Sequence, residues 1–309
     1  MPAKTKNRNK EIDIAVVDIG SNSVRLAIYR CTGKKHALIF EKKAVCGLAR
    51  GLSSKHPKLD RTGITLTLRA LRKFRRILKK RAPNKISAIG TAALRAVASS
   101  GAGKKFRRQA ERALGHNITI ISGRKEARLT ARGVMSALPK VSGICGDLGG
   151  GSLELAEIWR GRVGHTATLA LGSLTLITES KNDALKAEKI LRERLDRVAW
   201  LGKAKDRTFY PIGGSWRAVA RVMMRMQGQK IRPIHGFAIN AVRAKKYAEI
   251  MARKKPRVFH RMHKKIRHRA DVIPYAAAAL AELINRMHPA RIVFSAHGVR
   301  EGVVREKTG

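Results

Sequence analysis

The 309-residue chain carries 67 Lys and Arg against 21 Asp and Glu, a formal net charge of +46, with 44% hydrophobic and 5% aromatic residues. That charge excludes an acidic solvating chain and points to a polyanionic partner, while the apolar fraction excludes a disordered basic tail. The few aromatics argue against a base-stacking platform for single-stranded nucleic acid, and the length suits about two domains of roughly 150 residues each.

In chain order, residues 1–10 read as a basic, flexible tail. Ile12–Ile19 is rich in β-branched residues and predicts a buried strand. The small residues Gly20, Ser21, Asn22 and Ser23 predict a turn into a second strand, Val24–Tyr29, with another strand at Ala37–Glu41. Leu68, Leu71, Phe74, Ile77 and Leu78 recur at helical spacing within Leu66–Lys80, with Arg and Lys on the other face. A strand at Ile86–Gly90, a helix capped by Thr91, a helix at Lys104–Leu114 and a strand at Ile118–Ile121 follow. Ser122 is placed to cap a helix starting near Arg124.

Val141–Leu148, the Gly149–Gly151 turn and the returning strand Leu153–Trp159 repeat the first hairpin: apolar strand, acid, Gly/Ser loop, apolar strand. This is an internal duplication with one such hairpin opening each half. A long amphipathic helix at Asp183–Leu201 comes next. A strand at Tyr210–Ile212 then turns through Gly213, Gly214 and Ser215 into a helix from Trp216. Basic helices near Arg243–Lys255 and Arg257–Arg269, an apolar helix at Tyr275–Met287 and a strand at Ile292–Ser295 complete the pattern. Alternating strands and helices with Gly-rich turns predict an α/β fold of two similar lobes, residues 1–124 and 125–309, with the Gly loops lining the cleft between them.

Cys31, Cys46 and Cys145 are odd in number and lack metal-ligand spacing, as expected of free thiols in a reducing compartment. Asp13 and Asp18 interrupt the apolar stretch behind the basic N-terminus, and no apolar run approaches the ~18 residues of a membrane span. A soluble cytoplasmic protein is expected.

Acids are scarce, so their placement is informative. Asp18 and Asp147 each end an apolar strand and precede a Gly loop, where a carboxylate needs a partner or a metal. In DLGGGSLE, Gly149, Gly150, Gly151 and Ser152 offer successive backbone N–H groups to a phosphate. The turn brings Glu154 back toward Asp147, and two such acids beside a phosphate nest suit an octahedral Mg²⁺ shared with water and substrate oxygens. Glu126 sits in the first turn of its helix, where a carboxylate also complements the helix dipole. Arg124, Lys125 and Arg128 surround it in sequence, and their field is expected to favour its ionised form. Arg95 offers a planar fork for a phosphate, and Gly213–Ser215 a third phosphate cradle. His260, His263 and His268 fall on one basic helix, as a polyanion-facing surface rather than a metal site.

Seven segments, in order and over almost the whole chain, resemble the exopolyphosphatase / guanosine pentaphosphate phosphohydrolase family. They are DIGSNSVRL (Asp18–Leu26), GTAALR (Gly90–Arg95), ISGRKEARL (Ile121–Leu129), GDLGGGSLEL (Gly146–Leu155), GGSWRA (Gly213–Ala218), RADVIP (Arg269–Pro274) and FSAHGVREG (Phe294–Gly302). The resemblance implies the actin-like ATPase superfamily fold, two ribonuclease-H-like lobes around a cleft. It also implies Mg²⁺-dependent release of terminal phosphate from inorganic polyphosphate or guanosine pentaphosphate. Carried onto this chain, the catalytic glutamate falls on Glu126 and the metal-associated acids on Asp147 and Glu154, with Asp18 as a third candidate. The phosphate-binding set falls on Ser21, Asn22, Ser23, Arg95, Gly149–Ser152 and Gly213–Ser215. Lys125 stands where the family often has a second acid, and Ser99 where it often has Asn or Asp. The chain ends just after the REG segment, as in short two-lobe members, for which a homodimer is expected. Nucleic acid is expected to bind only non-specifically. The alternatives are a polyanion- or RNA-binding relative without chemistry and a kinase of the same fold. Retention of Glu126, Asp147 and Glu154 weighs against the first, and no sequence feature assures the nucleoside pocket of the second.

Overall fold

The computed structural model describes residues 11–52 and 57–308, so the expected basic tail lies outside the described residues. Two mixed sheets form the frame. The first contains β1 (Glu11–Ile19), β2 (Ser23–Thr32), β3 (Lys35–Val45), β4 (Lys85–Gly90) and β5 (Ile118–Ile120), in the order β3-β2-β1-β4-β5. The second contains β6 (Gly143–Leu148), β7 (Leu153–Trp159), β8 (Arg162–Leu169), β9 (Thr208–Ile212), β10 (Phe237–Asn240) and β11 (Arg291–Phe294), in the order β10-β11-β9-β6-β7-β8. In each, three antiparallel strands lead into two parallel ones, and β10 extends the second sheet's edge. The duplication expected from the two hairpins is therefore a duplication of topology. These are two ribonuclease-H-like lobes in an α/β fold.

β1 and β6 lack clean hydrophobic alternation because both of their faces are covered. On one face of β1, Ala15, Val17 and Ile19 pack with Leu71, Phe74 and Leu78 of α1 (Arg61–Arg81) and with Phe106 and Leu114 of α3 (Gly101–Leu114). Asp60 caps α1 by accepting from the Gly63 N–H. The opposite face, with Ile14 and Val16, packs against Val299, Val303 and Val304 of the C-terminal helix. This helix, Val299–Thr308, is α12 when the short helix α2 (Ala92–Ala96) and the rest are counted in order. In the second lobe, β6 places Cys145 under Ala127, Ala131 and Val134 of α4 (Gly123–Met135). The helix that follows the first sheet thus covers the second, and the last helix returns to the first. α4 and α12 cross closely: a Cβ on Gly302 would lie 1.9 Å from the Leu129 carbonyl oxygen, and one on Gly133 2.0 Å from that of Gly298.

Some elements differ from expectation. The helix expected over 183–201 is α6 (Ala184–Leu195) followed by a 3-10 turn, Ala199–Ala204, because Val198 leaves the helical region at φ −115° and ψ 69°. α5 (Ser173–Ser180), β8, β10 and α12 are additional. The basic helix expected over 257–269 is two short helices, α9 (Pro256–His260) and α10 (Lys264–Arg267). His263 breaks it by accepting the Lys265 N–H on Nδ1. α7 (Gly214–Met226), α8 (Ala241–Ala252) and α11 (Ile273–Met287) complete the second lobe. Among the described residues no helix is long and apolar enough to cross a membrane, and the three cysteines are free and buried.

Candidate active site

The cleft between the lobes is built from the two duplicated hairpin loops. Gly20–Ser23 is closed by a hydrogen bond from the Gly20 N–H to the Ser23 carbonyl at 3.2 Å, and Gly149–Ser152 by the same bond from Gly149 to Ser152 at 3.0 Å. The loops face each other at contact: a Cβ on Gly151 would meet Ser21 Oγ at 2.7 Å, and one on Gly150 would meet Ser21 Cβ at 3.1 Å. Larger residues would hold the loops apart. The third turn contributes Gly213, at φ +105°, where a side chain would strike the Leu148 carbonyl oxygen at 2.5 Å and Asp147 Oδ1 at 2.8 Å. Only glycine allows the backbone this close to that carboxylate.

Asp18, Ser21, Asn22, Ser23, Glu126, Asp147, Gly149–Ser152, Glu154, Gly213 and Gly214 all line this one cavity. The strand register explains the acids. Asp147 and Glu154 are direct partners across β6 and β7, and Asp18 and Arg25 hold the same position across β1 and β2. The second hairpin thus sets a glutamate where the first sets an arginine.

Two residues lie elsewhere than expected. Ser215 is buried in the first turn of α7, and its hydroxyl shares a 3.0 Å hydrogen bond with Ser173 instead of facing the cleft. Arg95 does not line the cavity as a phosphate clamp. Its Nη1 donates to Glu126 Oε2 at 2.8 Å and to the Ile121 carbonyl at 3.0 Å, while Nη2 reaches Glu154 Oε1 at 3.3 Å. One guanidinium thereby holds the two glutamates together.

Glu126 is 8% exposed and Glu154 2%. Burial pushes Glu126 up to about 7; Arg95 pulls it back, and Asp147 and Asp18 raise it further. Glu154 lies well above the ordinary carboxylate range, by burial first and Glu126 second. Burial and then Asp18 push Asp147 up to about 6, and burial also raises Asp18. The expectation that neighbouring cations would keep Glu126 ionised is corrected: Arg124 and Arg128 point to solvent, and Lys125 Nζ pairs with Glu306 of α12. Glu126 faces inward on the buried side of α4, where desolvation dominates. Ser122 caps this helix by accepting the Lys125 N–H at 3.2 Å, as its sequence position indicates.

The cavity also has a cationic lining, beside Asp18 and Asp147. Arg25, Arg217, Arg269 and Arg300 line the cavity. Burial and then Arg25 bring Arg217 and Arg269 down to about 10, so these guanidiniums are crowded together and short of counter-charge. Glu41 of β3 accepts from Arg25 at 3.1 Å and from Arg300 at 2.6 Å, both on Oε1. Glu301 accepts the Tyr29 hydroxyl at 2.5 Å and the Gly298 N–H at 2.7 Å, fixing the first turn of α12, which carries Arg300. Each of the four arginines lies inside a segment that carried the family resemblance, which was the available signal. The hydroxyl of Thr91, expected to cap α2, makes no capping bond, and Thr91 lines the cavity. His260 pairs with Asp271 at 2.9 Å, and His268 lies beyond α10, so the three histidines do not share one helix.

Among the described residues, no cluster of three or more His, Cys, Asp or Glu side chains is arranged to hold a metal ion by itself. Mg²⁺ commonly binds through one or two carboxylates and completes its shell with water and substrate phosphate. Asp18 and Asp147 are half-buried hard oxygen donors, and Asp18 raises Asp147, so the pair fits that ion. Glu154 is committed to Arg95 and to the Ser152 hydroxyl.

Two ribonuclease-H-like lobes around a cleft of paired acids, Gly/Ser loops and arginines give the chain the actin-like ATPase fold. The chain belongs to the Ppx/GppA phosphatase family, which it matches over residues 27–309. It is 30% identical over 151 residues to a putative exopolyphosphatase of Haemophilus influenzae, covering 48% of this chain and 46% of that one. It is 27% identical over 240 residues to a guanosine-5′-triphosphate,3′-diphosphate pyrophosphatase of Aeromonas hydrophila, covering 73% and 48%. The chain thus spans about half the length of the curated relatives it matches. Its fold resembles an exopolyphosphatase crystal structure from Cytophaga hutchinsonii at a TM-score of 0.85 and 20% identity, covering 96% of this chain and 97% of that one.

Proposed function

We propose that this protein hydrolyses phosphoanhydride bonds, releasing terminal orthophosphate from inorganic polyphosphate. One observation carries it: a buried glutamate poised near neutrality, Glu126, is held by Arg95 in one cavity with two facing phosphate-type loops and four arginines. A base with a pKa near the working pH is best matched to taking a proton from water. The four arginines suit a substrate that brings several negative charges.

In this mechanism the backbone N–H groups of Gly150–Ser152 and Ser21–Ser23 hold the terminal phosphoryl group from its two sides. Glu126 orients a water in line with the bridging oxygen and accepts its proton as the new O–P bond forms. The bridging P–O bond breaks, and the electron pair leaves on the shortened polyphosphate. Arg25, Arg217, Arg269 and Arg300 offset the charge along the departing chain. Mg²⁺ held by Asp18 and Asp147 would neutralise phosphate oxygens. Guanosine pentaphosphate is a second substrate in this reading, favoured by the match to the Aeromonas enzyme.

The test is phosphate release from tripolyphosphate, long polyphosphate and guanosine pentaphosphate with Mg²⁺. Turnover should fall by about 10²–10⁴ in Glu126→Gln and stop in EDTA. Wild-type turnover in Glu126→Gln would remove Glu126 from the mechanism. ADP-coupled phosphorylation of a second substrate would replace hydrolysis with a kinase activity.

A further inference from the structure

The cleft and Arg95 account for five of the 67 Lys and Arg side chains, and the rest are unevenly opposed by acids. The surface grooves around α6 and α8 carry Glu188, Glu249 and Glu282, and the one beside α4 and α12 carries Glu306. The groove between α1 and α3 carries no acid. Its polar walls are Arg72, Arg75, Arg76 and Lys79 of α1 with Gln109 and Arg112 of α3. The sequence of α1 has nine cations and no acid; that of α3 has five cations and Glu111 alone. Glu111 is engaged within its own lobe by Arg107 and the Ile118 N–H, each at 3.0 Å.

Arg72, Arg75, Arg76 and Lys79 stand three and four residues apart on one helical face, where like charges repel and weaken the helix. The groove keeps them on a rigid base: α1 and α3 share the core of Phe74, Leu78, Phe106 and Leu114. Arg75 further braces the two helices, donating to the Arg112 carbonyl at 3.4 Å. α1 also starts at the cleft: the Asp60 N–H bonds the Leu48 carbonyl at 3.0 Å, and the neighbouring Ala49 N–H bonds the Ser21 carbonyl at 2.8 Å. From there its 21 residues run for about 30 Å at 1.5 Å per residue. We propose that the α1–α3 groove is a second polyanion site, which holds a distal segment of a long polyphosphate chain while its terminus occupies the cleft. The groove walls carry guanidinium and ammonium groups and no aromatic ring on which a base would stack, which favours an inorganic chain over RNA. The proposal rests on polyphosphate being the substrate.

The test combines Arg72→Gln, Arg76→Gln, Lys79→Gln and Arg112→Gln, sparing the bracing Arg75. A control removes the same charge from the other lobe with Arg243→Gln, Lys246→Gln, Arg253→Gln and Lys254→Gln. Binding of long polyphosphate is measured in the Glu126→Gln background in EDTA, over a salt series, beside a single-stranded RNA. Turnover of tripolyphosphate and long polyphosphate is measured with Glu126 intact. The groove variant should bind the long chain about tenfold or more weakly, with the slope of log affinity against log salt reduced by roughly 3 for four lost phosphate contacts. The control should change far less, and tripolyphosphate turnover should match wild type. Unchanged long-chain affinity, an equal loss in the control, or a loss confined to RNA would overturn the proposal. A wild-type protein that releases phosphate from neither chain would overturn the substrate assignment, while the binding series would still report on the groove. If the fourfold variant melts early, the Arg72→Gln/Arg76→Gln pair carries the same test with about half the slope change.

Discussion

Arg95 and Glu126, 31 residues apart in sequence, are joined by a 2.8 Å hydrogen bond from Nη1 to Oε2, and the same guanidinium holds Glu154. Two carboxylates sharing one cation in a buried site cannot both ionise freely, so Glu126 and Glu154 titrate as a pair. Arg95 is the group that draws Glu126 back toward the ordinary range.

Replacing Arg95 with Met removes that pull. The acid limb of kcat/KM on tripolyphosphate should move to higher pH by about one unit or more, with turnover at high pH falling less than at neutral pH. An arginine that contacted only the phosphate would leave the limb in place and raise KM instead, so a pH profile separates the two roles.

The buried acids also make stability depend on pH. Glu126 and Asp147 have pKa values in the folded protein raised from 4.5 and 3.8 to about 7 and about 6. Folding therefore favours their protonated forms. Their stabilising contribution is complete below the ordinary carboxylate range and is lost as pH rises through about 6 to 7. In EDTA, the Tm should fall between about pH 5 and about pH 8, and Glu126→Gln should flatten that fall. Mg²⁺ held by the ionised acids, as proposed, would raise the Tm more at the upper pH than at the lower. A Tm that climbs across this window in EDTA would contradict the burial of these groups as ionisable acids.

Glu41 lies outside the cavity lining but fixes two of its arginines through one oxygen. Glu41→Gln should free Arg25 and Arg300 to sample other rotamers. The expected result is a KM for tripolyphosphate about three- to tenfold higher, or roughly 1 kcal/mol, with little change in kcat. Glu41→Asp should recover part of the loss only if one oxygen still reaches both arginines. A fall in kcat at unchanged KM would show that Glu41 acts on the chemical step instead.

At the α4–α12 crossing, Gly302→Ala would place a methyl 1.9 Å from the Leu129 carbonyl oxygen, and the backbone must move. A loss of about 1–3 kcal/mol is expected from such overpacking. Gly202→Ala, in open space with no contact within 4 Å, serves as the control and should be neutral or slightly stabilising. Equal Tm values for the two would mean that the crossing yields easily.

Most of the frame was legible because it is written in large apolar residues. β1, β6 and α1 announce themselves through Val, Ile, Leu and Phe. β8 was not legible: in RVGHTATL the strand is half exposed, and small and polar side chains give no alternation. α12 was hidden for a related reason. Its contact with α4 depends on Gly302 and on a carbonyl, neither of which has a hydrophobic signature. In the cleft, acids stood out because they are rare, whereas arginines were masked by their abundance. Arg25 was nonetheless recoverable, because it stands seven residues after Asp18, as Glu154 stands seven after Asp147. The error over Glu126 arose from treating sequence neighbours as spatial ones. On a helix, Arg124 and Arg128 project away from the face that buries residue 126.

The exchange of α4 and α12 between the sheets bears on how the chain is made. Ile14 and Val16 are made long before the valines that cover them, residues 299, 303 and 304. At roughly 5–20 residues per second, the interval between the end of the first sheet and those valines is about 10–35 s. Throughout it, one apolar face of the first lobe stands open on a nascent chain dense in positive charge. The Ile14–Val16 face of the first lobe therefore gains its valine cover only when α12 is made.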